Sequence, residues 1–161
     1  MPPKQYKKTV QLTQAGYDEL VQELEQLKTV KLPQIIKRVA SARAHGDLSE
    51  NAEYSNAKEE QNFMESRISE VEDVINSATI VKATSSHSKV GMGSTVVVFM
   101  ESKKDKKFTY HIVGEFEANP LEGKISSESP IGKALIGKKK GDKAEVKAPA
   151  GVITYIVDEI K

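Results

Sequence analysis

The chain has no cysteine and no tryptophan, and its 161 residues include three histidines, five tyrosines and four phenylalanines. Without cysteine there is no disulfide, no thiolate metal site and no cysteine nucleophile, which fits a reducing compartment. His45, His87 and His111 are too scattered to read as a histidine metal cluster. No apolar run approaches the roughly eighteen residues of a spanning helix. Met1 to Lys8 is polar and basic, with no apolar stretch after it. The expectation is a cytoplasmic protein without a membrane partner. Charge of one sign is also scarce, since the formal net charge is +1. Lys and Arg number 10 against 13 Asp and Glu up to Ala78, and 14 against 10 beyond it, so the halves carry −3 and +4. A general nucleic-acid binder shows a more strongly basic face.

What is present is 38% hydrophobic residues, enough to build a core in one ordinary domain or two small ones. Their spacing changes along the chain. Leu12-Thr13 opens a helix, with Thr13 as N-cap and Asp18 and Glu19 toward the positive end of its dipole. Tyr17, Leu20, Leu24, Leu27, Val30, Ile35, Val39 and Ala42 then recur near helical spacing, and Gly46 marks the end. Pro33 predicts a kink or a break. Tyr54, Ala57, Gln61, Met64, Ile68, Val71, Ile75 and Ala78 alternate steps of three and four, the seam of a coiled coil in which Gln61 is the polar member. Paired in antiparallel order, from Ala42 with Tyr54 to Tyr17 with Ala78, the residue numbers sum to between 94 and 96. A nearly constant sum is what a hairpin folded at residues 46 to 49 requires, because each layer lies equally far from the bend. Arms of about 32 residues would make it roughly 48 Å long. An ordinary coiled-coil dimerisation element would show the same periodicity.

From Thr79 the period becomes strand-like, in Thr79 to Val81, Ser94 to Met100, Phe108 to Val113, Ala144 to Lys147 and Val152 to Val157. Gly91-Met92-Gly93, Lys103 to Lys107, Asn119-Pro120 and Pro149-Ala150-Gly151 read as loops, the last as a hairpin turn. Ser129-Pro130, then Ile131 to Ile136 and Gly137, supply the N-cap, N1 proline and C-terminal glycine of a short helix. The chain thus reads as α+β, with a helical hairpin over residues 1–78 and a globular domain with an antiparallel sheet over residues 79–161.

The segment between the arms, Arg43-Ala44-His45-Gly46-Asp47-Leu48-Ser49-Glu50-Asn51-Ala52-Glu53-Tyr54, holds three carboxylates within seven residues. Asp47 and Glu50 have the spacing of a capping box, and Arg43 and His45 suit the negative end of the preceding helix. That reading leaves Leu48, apolar at a bend, unexplained. Carboxylates at a protruding tip also suit a hard cation such as magnesium. One or two of them make no complete cage, so the tip would work by adding ligands to a metal that a partner and nucleic-acid phosphate already hold.

Gly46 to Tyr54 resembles the tip motif of the bacterial transcript-cleavage factors of the GreA/GreB family. Leu12-Thr13-Gln14-Ala15-Gly16, Ile112-Val113-Gly114, Ser129 to Gly137 and Pro149-Ala150-Gly151 are similar to further family segments and fall in family order. The resemblance implies that the hairpin enters the secondary channel of RNA polymerase while an FKBP-like domain docks at the channel's rim, with Ser129, Pro130 and Ile131 in the docking surface. It implies that Asp47 and Glu50 help bind magnesium shared with the polymerase active centre, and position the water that cleaves backtracked RNA near its 3′ end. The isolated chain would hold no cofactor. Leu48, Ser49, Asn51, Glu53 and Tyr54 would support the tip, and Lys37, Arg38, Arg43 and Lys58 are candidate contacts to extruded RNA or a solvated helix surface. The factor would act as a monomer and donate to a catalytic site without being an enzyme. The modest charge is closer to the GreA branch, and Lys31-Leu32-Pro33 departs from the family's more usual basic residue before the proline.

Two other classes compete. A prolyl isomerase would use the α+β domain and Gly137 to Asp142, but it needs a deep aromatic pocket, and the second half offers Phe99, Phe108, Tyr110, Phe116 and Tyr155. A coiled-coil adaptor would tolerate changes at Asp47 and Glu50. Gly91-Met92-Gly93 is too short for a nucleotide loop, and Lys138 to Lys140 reads as a solvated loop.

Overall fold

The computed structural model describes residues 9–44, 52–82 and 87–161. Strand β1 (Val10–Leu12) precedes helix α1 (Gln14–Gln26), a π-helical segment (Leu27–Lys31) and helix α2 (Leu32–Ala44). Helix α3 (Ala52–Ser77) runs directly into strand β2 (Ala78–Ile80). The remainder holds β3 (Thr95–Met100), β4 (Lys103–Val113), β5 (Lys124–Ser126), helix α4 (Pro130–Leu135), β6 (Lys143–Ala148) and β7 (Gly151–Ile160).

These elements form two compact units, one of Asp18–Ser77 and the other of Ala78–Lys161 together with the residues up to Tyr17. The change of period at 78 therefore marks the end of the hairpin, but residues 9–17 belong with the sheet and not with the helices. The reason is pairing: β1 lies parallel to β2, Val10 opposite Ala78 and Leu12 opposite Ile80, and Leu12 is fully buried.

In the hairpin unit, Leu20, Leu27, Ile35 and Ala42 are buried on the first arm, and Ala57, Ile68, Val71 and Val74 on the second. Val30 is not in the seam, because its side chain is 49% exposed. The cause is the π segment, in which the Leu32 amide donates to the Leu27 carbonyl, five residues back. A π-turn inserts one residue into the helix. Half-buried Leu32 takes the seam position Val30 would have held, and Leu27 and Ile35, eight apart, fall one heptad apart in phase. With Leu32 opposite Met64 the paired numbers sum to 95 before the insertion and 96 after it. Pro33 accounts for the placement, since its ring lacks an N–H and would crowd the carbonyl four residues back in a regular helix. The widened turn comes directly before it, so the arm is rephased there and not broken. Ion pairs from the first arm to the second flank the seam: Glu23 with Arg67 at 3.0 Å, Arg38 with Glu60 at 2.8 Å, and Lys28 with Glu72.

The larger sheet has the order β5-β4-β3-β7-β6. It is antiparallel, as expected, with one parallel pair at the edge where β5 runs beside β4. Alternate residues Val96 and Val98 of β3, Ala144 and Val146 of β6, and Tyr155 and Val157 of β7 turn to one face with Ile112 and Leu135. Lys103 to Lys107, expected to be a loop, opens β4. That stretch pairs with β3 alone, because β5 reaches β4 only at His111 to Val113. Lysines on such an open edge discourage pairing with another chain. Short helix α4 is as expected: Ser129 Oγ accepts from the Gly132 amide at 3.0 Å, Pro130 is at N1, and Gly137 has φ +79°.

Candidate functional site

The acidic tip is bracketed on both sides. Helix α2 is described to Ala44 and helix α3 from Ala52, so the segment of residues 45–51 joins the two arms of an antiparallel hairpin. Asp47, Leu48, Ser49, Glu50 and Asn51 lie outside the described residues. Glu53 is exposed in the first turn of α3, where a carboxylate favours the helix dipole, and Tyr54 is half-buried at the end of the seam. Arg43 is exposed in the last turn of α2, the complementary end. Among the described residues no group of three or more His, Asp or Glu could hold a metal ion.

The basic candidates divide. Arg38 is committed to Glu60, and Lys58 Nζ donates to Gln61 Oε1 at 3.2 Å. Lys37 and Arg43 are exposed and have no ion pair among the described residues. Among the described residues those two charges are therefore uncommitted, whereas Arg38 would first have to leave a carboxylate to meet another anion.

The three docking candidates of the sheet unit also differ in their surroundings. The Ser129 hydroxyl donates to the Ser126 carbonyl at 2.7 Å while accepting from Gly132, and Ile131 packs against the core. Pro130 remains exposed. Gly132 cannot carry a side chain, since a Cβ there would meet the Ser126 carbonyl oxygen at 2.0 Å. This corner is therefore closely packed, with Pro130 exposed and Ser129 and Ile131 half-buried. Nearby in the chain, Thr9, Val10, Gln11, Glu115, Phe116, Ser127 and Glu128 line a cavity of about 400 Å3. Sequence reading missed it, because it is assembled from three separate segments. It also missed Leu121, 98% exposed on a 3-10 turn capped by Asn119.

The aromatic residues Phe108, Tyr110 and Tyr155 of the sheet pack on one another. Phe108 stacks on Tyr110 at 6.1 Å, and Tyr155 meets both edge-on at 6.4 and 6.5 Å. Tyr155 is buried and belongs to the core cluster. Burial pushes the Tyr110 hydroxyl up to about 12, with the adjacent Tyr155 hydroxyl adding to the shift. These three rings thus form an aromatic wall in which Tyr155 is buried and Phe108 and Tyr110 are half-buried.

The comparisons with known proteins cover both units. Residues 10–80 match the family model for the N-terminal part of transcription elongation factors GreA and GreB, and residues 85–161 match the model for the GreA/GreB C-terminal part. The transcription elongation factor GreA of Neisseria meningitidis serogroup A is 49% identical over 154 residues, covering 94% of this chain and 97% of the relative. The GreA of Bacillus cereus is 44% identical over 154 residues, covering 96% and 98%. Among solved structures, GreA factor homolog 1 (Gfh1) of Thermus thermophilus is 31% identical, covering 96% of this chain and 99% of that one, with a TM-score of 0.45.

Proposed function

The chain belongs to the GreA/GreB family of transcription elongation factors, and from that premise we propose that it binds bacterial RNA polymerase in the cytoplasm, as a monomer, and stimulates cleavage of backtracked nascent RNA. The observation that carries this reading is the antiparallel hairpin, whose described arms stop at Ala44 and resume at Ala52 and so deliver residues 45–51 as a connecting tip. A two-helix hairpin with one buried seam has little interior for a site of its own. α3 alone has 26 residues, which is roughly 39 Å of helix. That length suits reaching into a narrow passage such as the polymerase secondary channel.

Asp47 and Glu50, in the segment that joins the arms, would offer carboxylate oxygens, the donors that magnesium prefers. Two carboxylates complete a coordination sphere only if the polymerase and RNA phosphate supply the rest. Magnesium bound there would stabilise charge on the attacking and leaving oxygens of a phosphodiester. The chain's contribution is to hold Asp47 and Glu50 beside the scissile bond and to orient a water for in-line attack. The protein is on this account a factor and not a free-standing catalyst. Lys37 and Arg43, which have no ion pair among the described residues, would meet the extruded RNA 3′ end, and Pro130 with the adjoining cavity would meet the rim of the channel.

The test is RNA cleavage in stalled, backtracked polymerase complexes with magnesium, comparing no factor, the native chain, and Asp47→Ala/Glu50→Ala at equal polymerase occupancy. The native chain should accelerate cleavage, and the double variant should bind but lose about 100-fold or more of the stimulated rate, the scale seen when charge stabilisation at a reacting centre is removed. Binding by the native chain without stimulation would overturn the reading.

A further inference from the structure

A capping box places Ser or Thr at the N-cap and Glu or Gln at the third helical position, whose side chain returns to the N-cap amide. Helix α1 has the first half of this device, since Thr13 Oγ1 accepts from the Gly16 amide at 3.0 Å. The third helical position, however, is Gly16 itself, which has no side chain to return. The missing carboxylate comes from Glu117, 104 residues further along: its Oε1 accepts from the Thr13 amide at 2.6 Å, and its Oε2 accepts from the Thr13 hydroxyl at 2.5 Å. A Cβ built on Gly16 would fall 2.0 Å from the Glu117 carboxyl carbon. The absent side chain and the incoming one therefore claim the same space.

Glu117 is itself fixed. It ends the 3-10 turn Glu115–Glu117, and the Gly114 amide lies 3.4 Å from Oε1. Gly114 is pressed against the incoming strand, where an added Cβ would meet the Gln11 carbonyl oxygen at 2.2 Å. Two glycines thus clear the space through which one carboxylate grips the start of α1. Hydrogen bonds to an ionised carboxylate are shorter and stronger than neutral ones, and a carboxylate at a helix N-terminus also favours the dipole.

We infer that Glu117 is a positioning residue: it completes the cap of α1 in trans and so roots the helix that continues into the hairpin. This deepens the proposed function, because the tip carboxylates can act only if the arm that carries them is held at its base. A helix cap alone would be served equally well by Glu at position 16, on the same helix. The long-range version adds a tie, and the two roles can be separated by moving the carboxylate.

The experiment uses the full chain in four forms: native, Glu117→Gln, Glu117→Ala, and Gly16→Glu/Glu117→Ala, which returns the carboxylate to the helix and removes the tie. Circular dichroism confirms that each is folded. Because the chain lacks cysteine, Ser69→Cys and Lys147→Cys, both at exposed positions, accept spin labels specifically in every form. The distance distribution between labels should be wider in Glu117→Ala and remain wide in the swapped form, with Glu117→Gln between. In backtracked polymerase complexes at saturating factor, cleavage should fall about tenfold or more in Glu117→Ala, in line with the cost of misplacing reacting groups. The swap should not restore the rate, and polymerase affinity should change much less. An unchanged distribution in Glu117→Ala, or full recovery in the swapped form, would overturn the tie, as would a loss confined to affinity. If the native chain stimulates no cleavage, the proposed function fails, while the label distances still decide whether Glu117 roots α1.

Discussion

In the sheet unit, ten buried residues from Val90 to Ile160 form one contiguous cluster, with Ile112, Leu135, Val96, Val98 and Val157 essentially inaccessible. Along the hairpin the buried residues come one or two to a layer, and charged pairs stand on both sides of them. Removing a side chain from the cluster leaves a hole lined on all sides, whereas removing one from the seam leaves a gap that neighbouring layers and solvent can partly close. The sheet unit thus concentrates its buried residues in one dense core, and the hairpin gains length at the expense of core.

Equal deletions in the two units should separate them most clearly. Leu135→Ala should destabilise the sheet unit by about 3–5 kcal/mol, the upper part of the range for buried leucine truncations. Leu27→Ala should cost the hairpin about 2–3 kcal/mol, because the site can collapse. Native-state hydrogen exchange resolves the two, as each variant should lose protection in its own unit. Equal losses throughout both units would show that they unfold as one body and that the distinction is empty. Exposed ion pairs such as Arg38 with Glu60 are worth at most about 1 kcal/mol and do not alter the ranking.

Within the hairpin, the π segment offers a second test with a smaller energy. If the π segment exists to rephase the seam around Pro33, deleting Val30 and replacing Pro33→Ala together should give an uninterrupted helix with the same buried residues. We expect a gain on the order of 1 kcal/mol, from recovering a regular turn and removing a proline. Pro33→Ala alone should leave the π-turn in place, because Leu27 and Ile35 would still need the extra residue between them to share one face. Amide exchange at Leu32 separates these cases. A regular α-turn in the single variant would show that the proline, and not the seam, sets the insertion.

Much of this architecture was legible because it is periodic. The second arm's seam and the cap at Ser129 depend on residues close together in sequence, and the hairpin sum follows from the two periods and the bend between them. Val30 misled because it is apolar and lies three residues after Leu27, so its spacing fits a regular helix, whereas the π insertion passes the seam position to Leu32. Lys103 to Lys107 looked like a loop because their charge reflects an open sheet edge and not local backbone preference. At the proposed sites, Asp47 and Glu50 were visible as a tip motif, but Glu117 gave no signal. Its partner is Thr13, and no local pattern links two residues so far apart. Even Gly16, in retrospect the clue, reads locally as a weak helix residue.

The smallest expected effect concerns the aromatic wall, where the sheet unit's dense packing meets a titratable group. Burial is the main reason the Tyr110 hydroxyl is pushed up to about 12, against an ordinary value of about 10. Because the folded value is raised above the unfolded one, the contribution is fully present below about pH 10 and is lost as pH rises from there through about 12. The unfolded chain releases this proton first, so alkali pulls the equilibrium toward it. Tyr110 is half-exposed, so solvent screens much of the effect, and the change in stability should be modest. Tyr110→Phe should flatten the alkaline limb of the sheet unit's stability while leaving the hairpin's limb unaltered, as followed by hydrogen exchange and tyrosinate absorbance. An unchanged limb in Tyr110→Phe would mean that the aromatic wall is wetter than its packing implies, and that the contrast between a dense sheet and a thin hairpin weakens at this edge of the core.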